Sequence, residues 1–209
     1  MVEEAERHVL ALRSTPSSAW ATRDRILLEA SRLFATHGFR GASTRQIADR
    51  VGIRQPSLFK HFPSKQSMLA ELAVYDMHVP ARHAEVAARA RGSAVDRLAG
   101  YLAWDFEWYR TMPFDLRGMN EDLVQSEGLG EAHAALDRWH DAIGGILGQG
   151  VRAGQFAPSA VPFVPTMLEN LSWYMVHTPG ATEAAVDDAV EVVLVAALTS
   201  SRQRGSADR

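Results

Sequence analysis

Apolar residues recur along this chain with the period of a helix, and the alternation that marks a half-buried strand is nearly absent. Ile26, Leu27, Ala30, Leu33 and Phe34 share one face of an amphipathic helix. Thr22 is its expected N-cap, Asp24 suits the positive first turn, and Gly38 closes it. Ser43-Thr44-Arg45-Gln46 has the form of a capping box. It opens a short helix with Ile47, Ala48 and Val51 on one side, which stops at Gly52. Pro56 suits the first turn of a third helix, running to about His61, because its missing N–H costs nothing there. Pro63-Ser64 then breaks and caps before Met68, Leu69 and Leu72. Longer helices are expected at roughly 81–91, 93–111, 115–126, 130–153, 160–178 and 182–202, separated by glycine, proline and serine breaks. The fold class is all-α. Residues 1–20 form a loosely ordered tail, 21–66 a three-helix helix-turn-helix domain, and 67–209 a larger helical domain.

Composition removes several alternatives. A chain of 209 residues can bury a core without a disulfide or metal staple. At 46% hydrophobic with a net charge of −3 it is not a disordered chain. It has no cysteine, hence no thiolate metal site and no cysteine nucleophile. The most apolar uncharged stretch, 153–168, is interrupted by Pro158, Pro162 and Pro165, so no membrane partner is expected. Glu3, Glu4 and Glu6 carry the wrong charge for a signal peptide, and the expected location is the cytoplasm. The small net charge conceals an asymmetry. Residues 20–66 carry nine bases and three acids, a net +6, while residues 67–209 carry 11 bases and 19 acids, a net −8. A basic segment on an acidic body fits a polyanion-binding module on a carrier with another task; a merely solvated basic face fits the charge equally well.

The short helices decide between those readings. Two helices joined at Gly52, with Ala48 four residues earlier to let them approach, make a helix-turn-helix packed through Ile47, Val51, Ile53 and Leu58. In that geometry the start of the second helix faces base edges in the major groove. Here it carries Arg54, Gln55, Pro56 and Ser57. Arginine pairs bidentately with guanine and glutamine with adenine, and the proline ring suits a thymine methyl. Thr44, Arg45, Lys60, His61 and Lys65 bring donors suited to phosphates. Arg32, Arg40 and Arg50 read better as solvated helix charges.

The run Thr44-Arg45-Gln46-Ile47-Ala48, followed by Gly52-Ile53-Arg54-Gln55-Pro56-Ser57-Leu58-Phe59-Lys60-His61-Phe62-Pro63-Ser64-Lys65, resembles the DNA-binding domain of the TetR family of transcriptional regulators. The resemblance covers Thr22 to Leu72, about a quarter of the chain. It implies an all-α homodimer whose N-terminal helices read a palindromic double-stranded operator. It also implies a C-terminal ligand-binding and dimerisation domain with an inducer pocket. One position departs from the pattern. Where the family usually has a tyrosine that reaches a phosphate stands Phe59, expected here to serve packing only.

The acidic body offers two further features. Val192 to Leu198 is a continuous apolar run, and the preceding helix carries Val164, Met167, Leu168, Leu171 and Met175. Helices apolar over most of their circumference need cover on several sides, from the core or from a second copy. Aromatic residues also crowd the middle of the chain. Trp104, Trp108, Phe114, Met119, Trp139 and Trp173, with His140, Asn170 and His177, are the candidate lining of a pocket for a largely apolar or aromatic small molecule. Aromatics at helical spacing serve equally as core. Catalysis is not expected: there is no GxSxG, P-loop or GxGxxG, and His133 and His140 stand seven apart rather than at zinc-site spacing. No metal or cofactor is implied. The expected function is a ligand-responsive transcriptional regulator, specifically a repressor. The alternative is a small-molecule binding or enzymatic helical protein that has lost DNA binding.

Overall fold

The computed structural model describes residues 1–116, 130–178 and 181–198. Among them the only extended pairing is one antiparallel bridge between Phe156 and Leu198; all else regular is helical. The helices are α1 (Val2–Arg13), α2 (Thr22–Gly41), α3 (Thr44–Val51), α4 (Gln55–Phe59), α5 (Lys65–Ala73), α6 (Val79–Arg89), α7 (Ala94–Arg110), α8 (Gly130–Arg152), α9 (Ala160–His177) and α10 (Glu183–Ala197). A π-helical turn, Val74–His78, joins α5 to α6. The expected helix at 115–126 lies outside the described residues except for Asp115 and Leu116, and so does Met119. No helix among the described residues is long and apolar enough to cross a membrane.

The chain divides into two compact units, Met1–Arg82 with Thr111–Asp137, and His83–Arg110 with Arg138–Arg209. In the first, α2 to α5 enclose Ile26, Leu27, Phe34, Ile47, Leu58 and Phe62, none more than 2% exposed. Each contributes roughly 2 kcal/mol by leaving water. The caps act as the sequence requires. Ser43 and Gln46 form a reciprocal capping box, and Ser64 caps α5 with Ser67 in return. Gly38 breaks α2 at φ 69°, ψ 161°, a conformation closed to residues with a Cβ.

Three local expectations are corrected. Ala21, not Thr22, occupies the N-cap position of α2, and no side chain caps it there. The helix α4 ends at Phe59 instead of reaching His61. Residues 1–19 are no loose tail, because Val2–Arg13 is helical, with Val9 fully buried and Leu12 7% exposed. The apolar pair at i, i+3 was overshadowed by the surrounding charges. His8 fastens this helix to α2 through Nε2 and Asp24 Oδ1, 2.8 Å apart.

The segment after α7 also belongs to the first unit. Phe114 stacks on Tyr75 at 5.3 Å between ring centres and meets Trp20 edge-on at 6.0 Å. The Asp115 amide donates to the buried Ser31 hydroxyl at 3.0 Å. In the second unit α7 packs against α9 and α10, which also pack on each other. Its core includes Leu98, Phe106, Ile143, Leu147, Leu168 and Val193, all fully buried.

Candidate nucleic-acid interface and ligand site

The turn between α3 and α4 is built by backbone geometry. Gly52 adopts φ 79°, ψ 32°, in the left-handed region that glycine enters without a Cβ penalty, and its N–H bonds the carbonyls of Ala48 and Asp49. The Ile53 N–H also bonds the Ala48 carbonyl at 3.0 Å, closing the end of α3. Arg25 donates to the Val51 carbonyl at 2.8 Å, so this base is committed to the turn.

That turn brings the starts of α3 and α4 together. Gln55 Nε2 donates to the Thr44 hydroxyl at 2.8 Å, which fixes the direction of the amide. Thr44, Gln55 and Ser57 are half-buried, while Arg45, Arg54, Pro56, Lys60 and His61 are exposed. An amide held in place between exposed bases can read a base edge while its neighbours hold phosphates. Arg32 and Arg50 instead lie around Glu29, at 2.7 and 3.7 Å, as exposed helix charges do.

Two residues stand differently from their sequence reading. The Lys65 ammonium donates to the carbonyls of Phe39 and Ala42, the latter at 2.7 Å, and lies 4.3 Å from the centre of the Phe39 ring. Carbonyls at the end of a helix lack internal partners, and Lys65 supplies them. Phe59, expected to pack, is 43% exposed, because Leu58 and Phe62 occupy the core positions on either side.

The candidate ligand residues are not brought to one place. Trp104 stacks between His83, at 3.6 Å, and Trp108, at 5.6 Å, and Trp108 is 2% exposed. Trp139 is 8% exposed and donates its indole N–H to the Tyr101 hydroxyl at 2.6 Å. Trp108 and Trp139 are interior residues of the second unit, and Trp104 is half-buried. Phe114 belongs to the first unit, against Tyr75 and Trp20. His140 is exposed and pairs with Glu169 at 3.2 Å. Asn170 turns back to the Thr166 carbonyl, and Trp173, 60% exposed, stacks on His177 at 3.8 Å. Asn170, Trp173 and His177 share one face of α9, and that face points outward.

That outward face is strongly apolar. Phe163, Trp173 and Tyr174 on α9 are 65%, 60% and 45% exposed, and Val192 and Val195 on α10 are 53% and 65% exposed. A groove of about 270 Å³ runs between the helices, lined by Phe163, Thr166, Met167, Asn170, Leu171 and Val192. The interior of the unit holds one feature that sequence reading half missed. Tyr101 and Asp105 are visibly one turn apart, but Ser172, which completes their hydrogen-bond set, is 67 residues away and carried no local signal.

Comparison with known proteins agrees with this geometry. Residues 26–72 match the family model described as bacterial regulatory proteins, tetR family. The chain is 28% identical over 182 residues to the HTH-type transcriptional repressor KstR2 of Mycolicibacterium smegmatis, covering 82% of this chain and 86% of that protein. It is 24% identical over 176 residues to the HTH-type transcriptional activator FasR of the same organism, covering 81% and 80%. Among solved structures, KstR2 of Mycobacterium tuberculosis superposes with a TM-score of 0.73 at 22% identity, over 86% of this chain and 96% of that one, a likeness of fold.

Proposed function

The chain belongs to the TetR family of bacterial regulatory proteins, and from that premise we propose that it is a ligand-responsive, sequence-specific repressor, released from a palindromic operator by a small molecule. The observation that carries the reading is the paired Thr44 and Gln55 at the head of α4, flanked by exposed Arg45, Arg54, Pro56, Lys60 and His61. Gln55, Arg54, Pro56 and Ser57 meet base edges; Arg45, Lys60 and His61 meet phosphates. A second copy covers the exposed face of α9 and α10, and the dimer's two-fold axis matches that of the operator.

The ligand is a largely apolar or aromatic molecule taken up by the second unit near Trp104, Trp108 and Trp139. It acts by favouring a conformation whose two reading helices no longer match the half-site spacing. Ligand and operator then weaken each other by the same factor.

Selection of the purified protein against random duplex DNA tests the reading. A palindrome should be enriched, with an affinity that falls steeply with salt. Gln55→Ala should relax preference at particular base pairs, costing about 1–3 kcal/mol at those positions. Lys60→Ala should weaken all duplexes alike and lower the salt slope by about one. Salt-sensitive binding without enrichment would reduce the basic segment to a general DNA clamp. Operator affinity unchanged at a ligand concentration that saturates tryptophan quenching would remove the switch while leaving DNA reading intact.

A further inference from the structure

Among the described residues of the second unit, the one buried charged side chain is Asp105, 2% exposed. It lies on α7, where Oδ1 accepts a hydrogen bond from the Tyr101 hydroxyl at 2.9 Å. Its Oδ2 accepts from the Ser172 hydroxyl of α9 at 2.9 Å. The Tyr101 oxygen in turn accepts from the Trp139 indole of α8. Four side chains from three helices thus form one polar cluster inside an apolar interior.

Among the described residues, no cation neutralises it. Of the titratable groups on the elements packed around Asp105, only Tyr101 faces it among the described residues. His140 of α8 and Glu169 of α9 pair with each other, and the acids of α10 are exposed. The cluster is well satisfied when Asp105 is neutral: the carboxyl proton goes to Ser172 Oγ while Tyr101 still donates to the other oxygen. When Asp105 is charged, two hydroxyl donors alone face a buried anion.

We propose that the Trp139–Tyr101–Asp105–Ser172 cluster is a proton-gated clasp that sets how firmly α9 is held against α7. The helix it holds is the one that presents Phe163 and Trp173. Burial pushes the Asp105 carboxyl up to about 6, and the hydroxyls of Tyr101 and Ser172 pull it only part of the way back. Opening of α9 returns the group to water and to its ordinary value of 3.8. A closed-state value above the open-state value means that closure is strongest below about pH 4 and is lost as pH rises to about 6. Within that window opening becomes about tenfold easier per pH unit, and above it the effect is complete.

Hydrogen exchange of the α9 amides in the full-length protein, at pH 5 and pH 7.5 with intrinsic rates divided out, tests the clasp. The wild type should open about tenfold more readily at pH 7.5, whereas Asp105→Asn should show no such difference. Parallel behaviour of the two proteins would overturn the proposal. Ser172→Ala provides a second arm should the first variant fold poorly. With one donor removed, the carboxylate is costlier still, so the rise in opening should continue to higher pH than in the wild type. A Ser172→Ala profile that superimposes on the wild type would equally overturn it.

Discussion

Val195→Asp is expected to separate the two copies of the protein and abolish tight operator binding without unfolding either copy. Val195 is 65% exposed on α10, so within one chain it contributes little to the core. It lies beside Val192 and Ala196 in a groove that already holds Asp188 and Glu191. A new carboxylate there would meet like charge on its own helix and would be buried against apolar surface when a second copy docked. Burying an unpaired charge costs several kcal/mol, and a two-fold interface incurs that cost twice. Sedimentation should report the mass of a single chain, with helix content unchanged. Operator affinity should fall by at least about 100-fold, because the second half-site is no longer presented at high effective concentration. A variant that remains dimeric and keeps full affinity would place the interface elsewhere.

Lys65→Met should lower stability markedly and leave the salt dependence of DNA binding as it was. The substitution keeps an unbranched stem over the Phe39 ring and removes the ammonium from the carbonyls of Phe39 and Ala42. Hydrogen bonds to a charged group contribute about 1.5–3 kcal/mol each, and orphaned carbonyls at a helix end add to the loss. A cost of about 2–4 kcal/mol corresponds to a fall of roughly 5–10 °C in Tm for a chain of this size. Below the new Tm, the slope of log affinity against log salt counts phosphate contacts and should stay at the wild-type value. An unaltered Tm with a slope smaller by about one would show instead that Lys65 holds a phosphate.

The elements of the helix-turn-helix were legible because their signals are local. A capping box at Ser43, an αL glycine at Gly52 and a proline in the first turn of α4 each act within three or four residues, and each formed as its spacing requires. The periodic helices of the body were legible for the same reason, with described ends within two residues of those expected, except that α10 stops at Ala197 where 202 was expected. The α1 helix was not, because one buried pair, Val9 and Leu12, is a faint period among six charged or histidine side chains in α1. Phe59 and Lys65 illustrate a second limit. The sequence shows an aromatic and a base; only packing shows that the aromatic is turned outward and the base inward.

The candidate ligand residues separate along the same line. Trp104 stacks on Trp108 and Trp173 on His177, since residues four apart share a helix face. Helical spacing could not say which faces meet. Phe114 went to Tyr75 and Trp20, Trp139 to Tyr101, and Trp173 to the exposed surface. By itself, then, the sequence determined the all-α class, the helix-turn-helix and the residues that stand at the start of its second helix. Each of these depends on interactions within one or two turns of chain, whose partners are set by covalent spacing. Only the tertiary structure decided which side chains are buried together, because Asp105 and Ser172, or Lys65 and Phe39, meet through packing that chain separation does not encode.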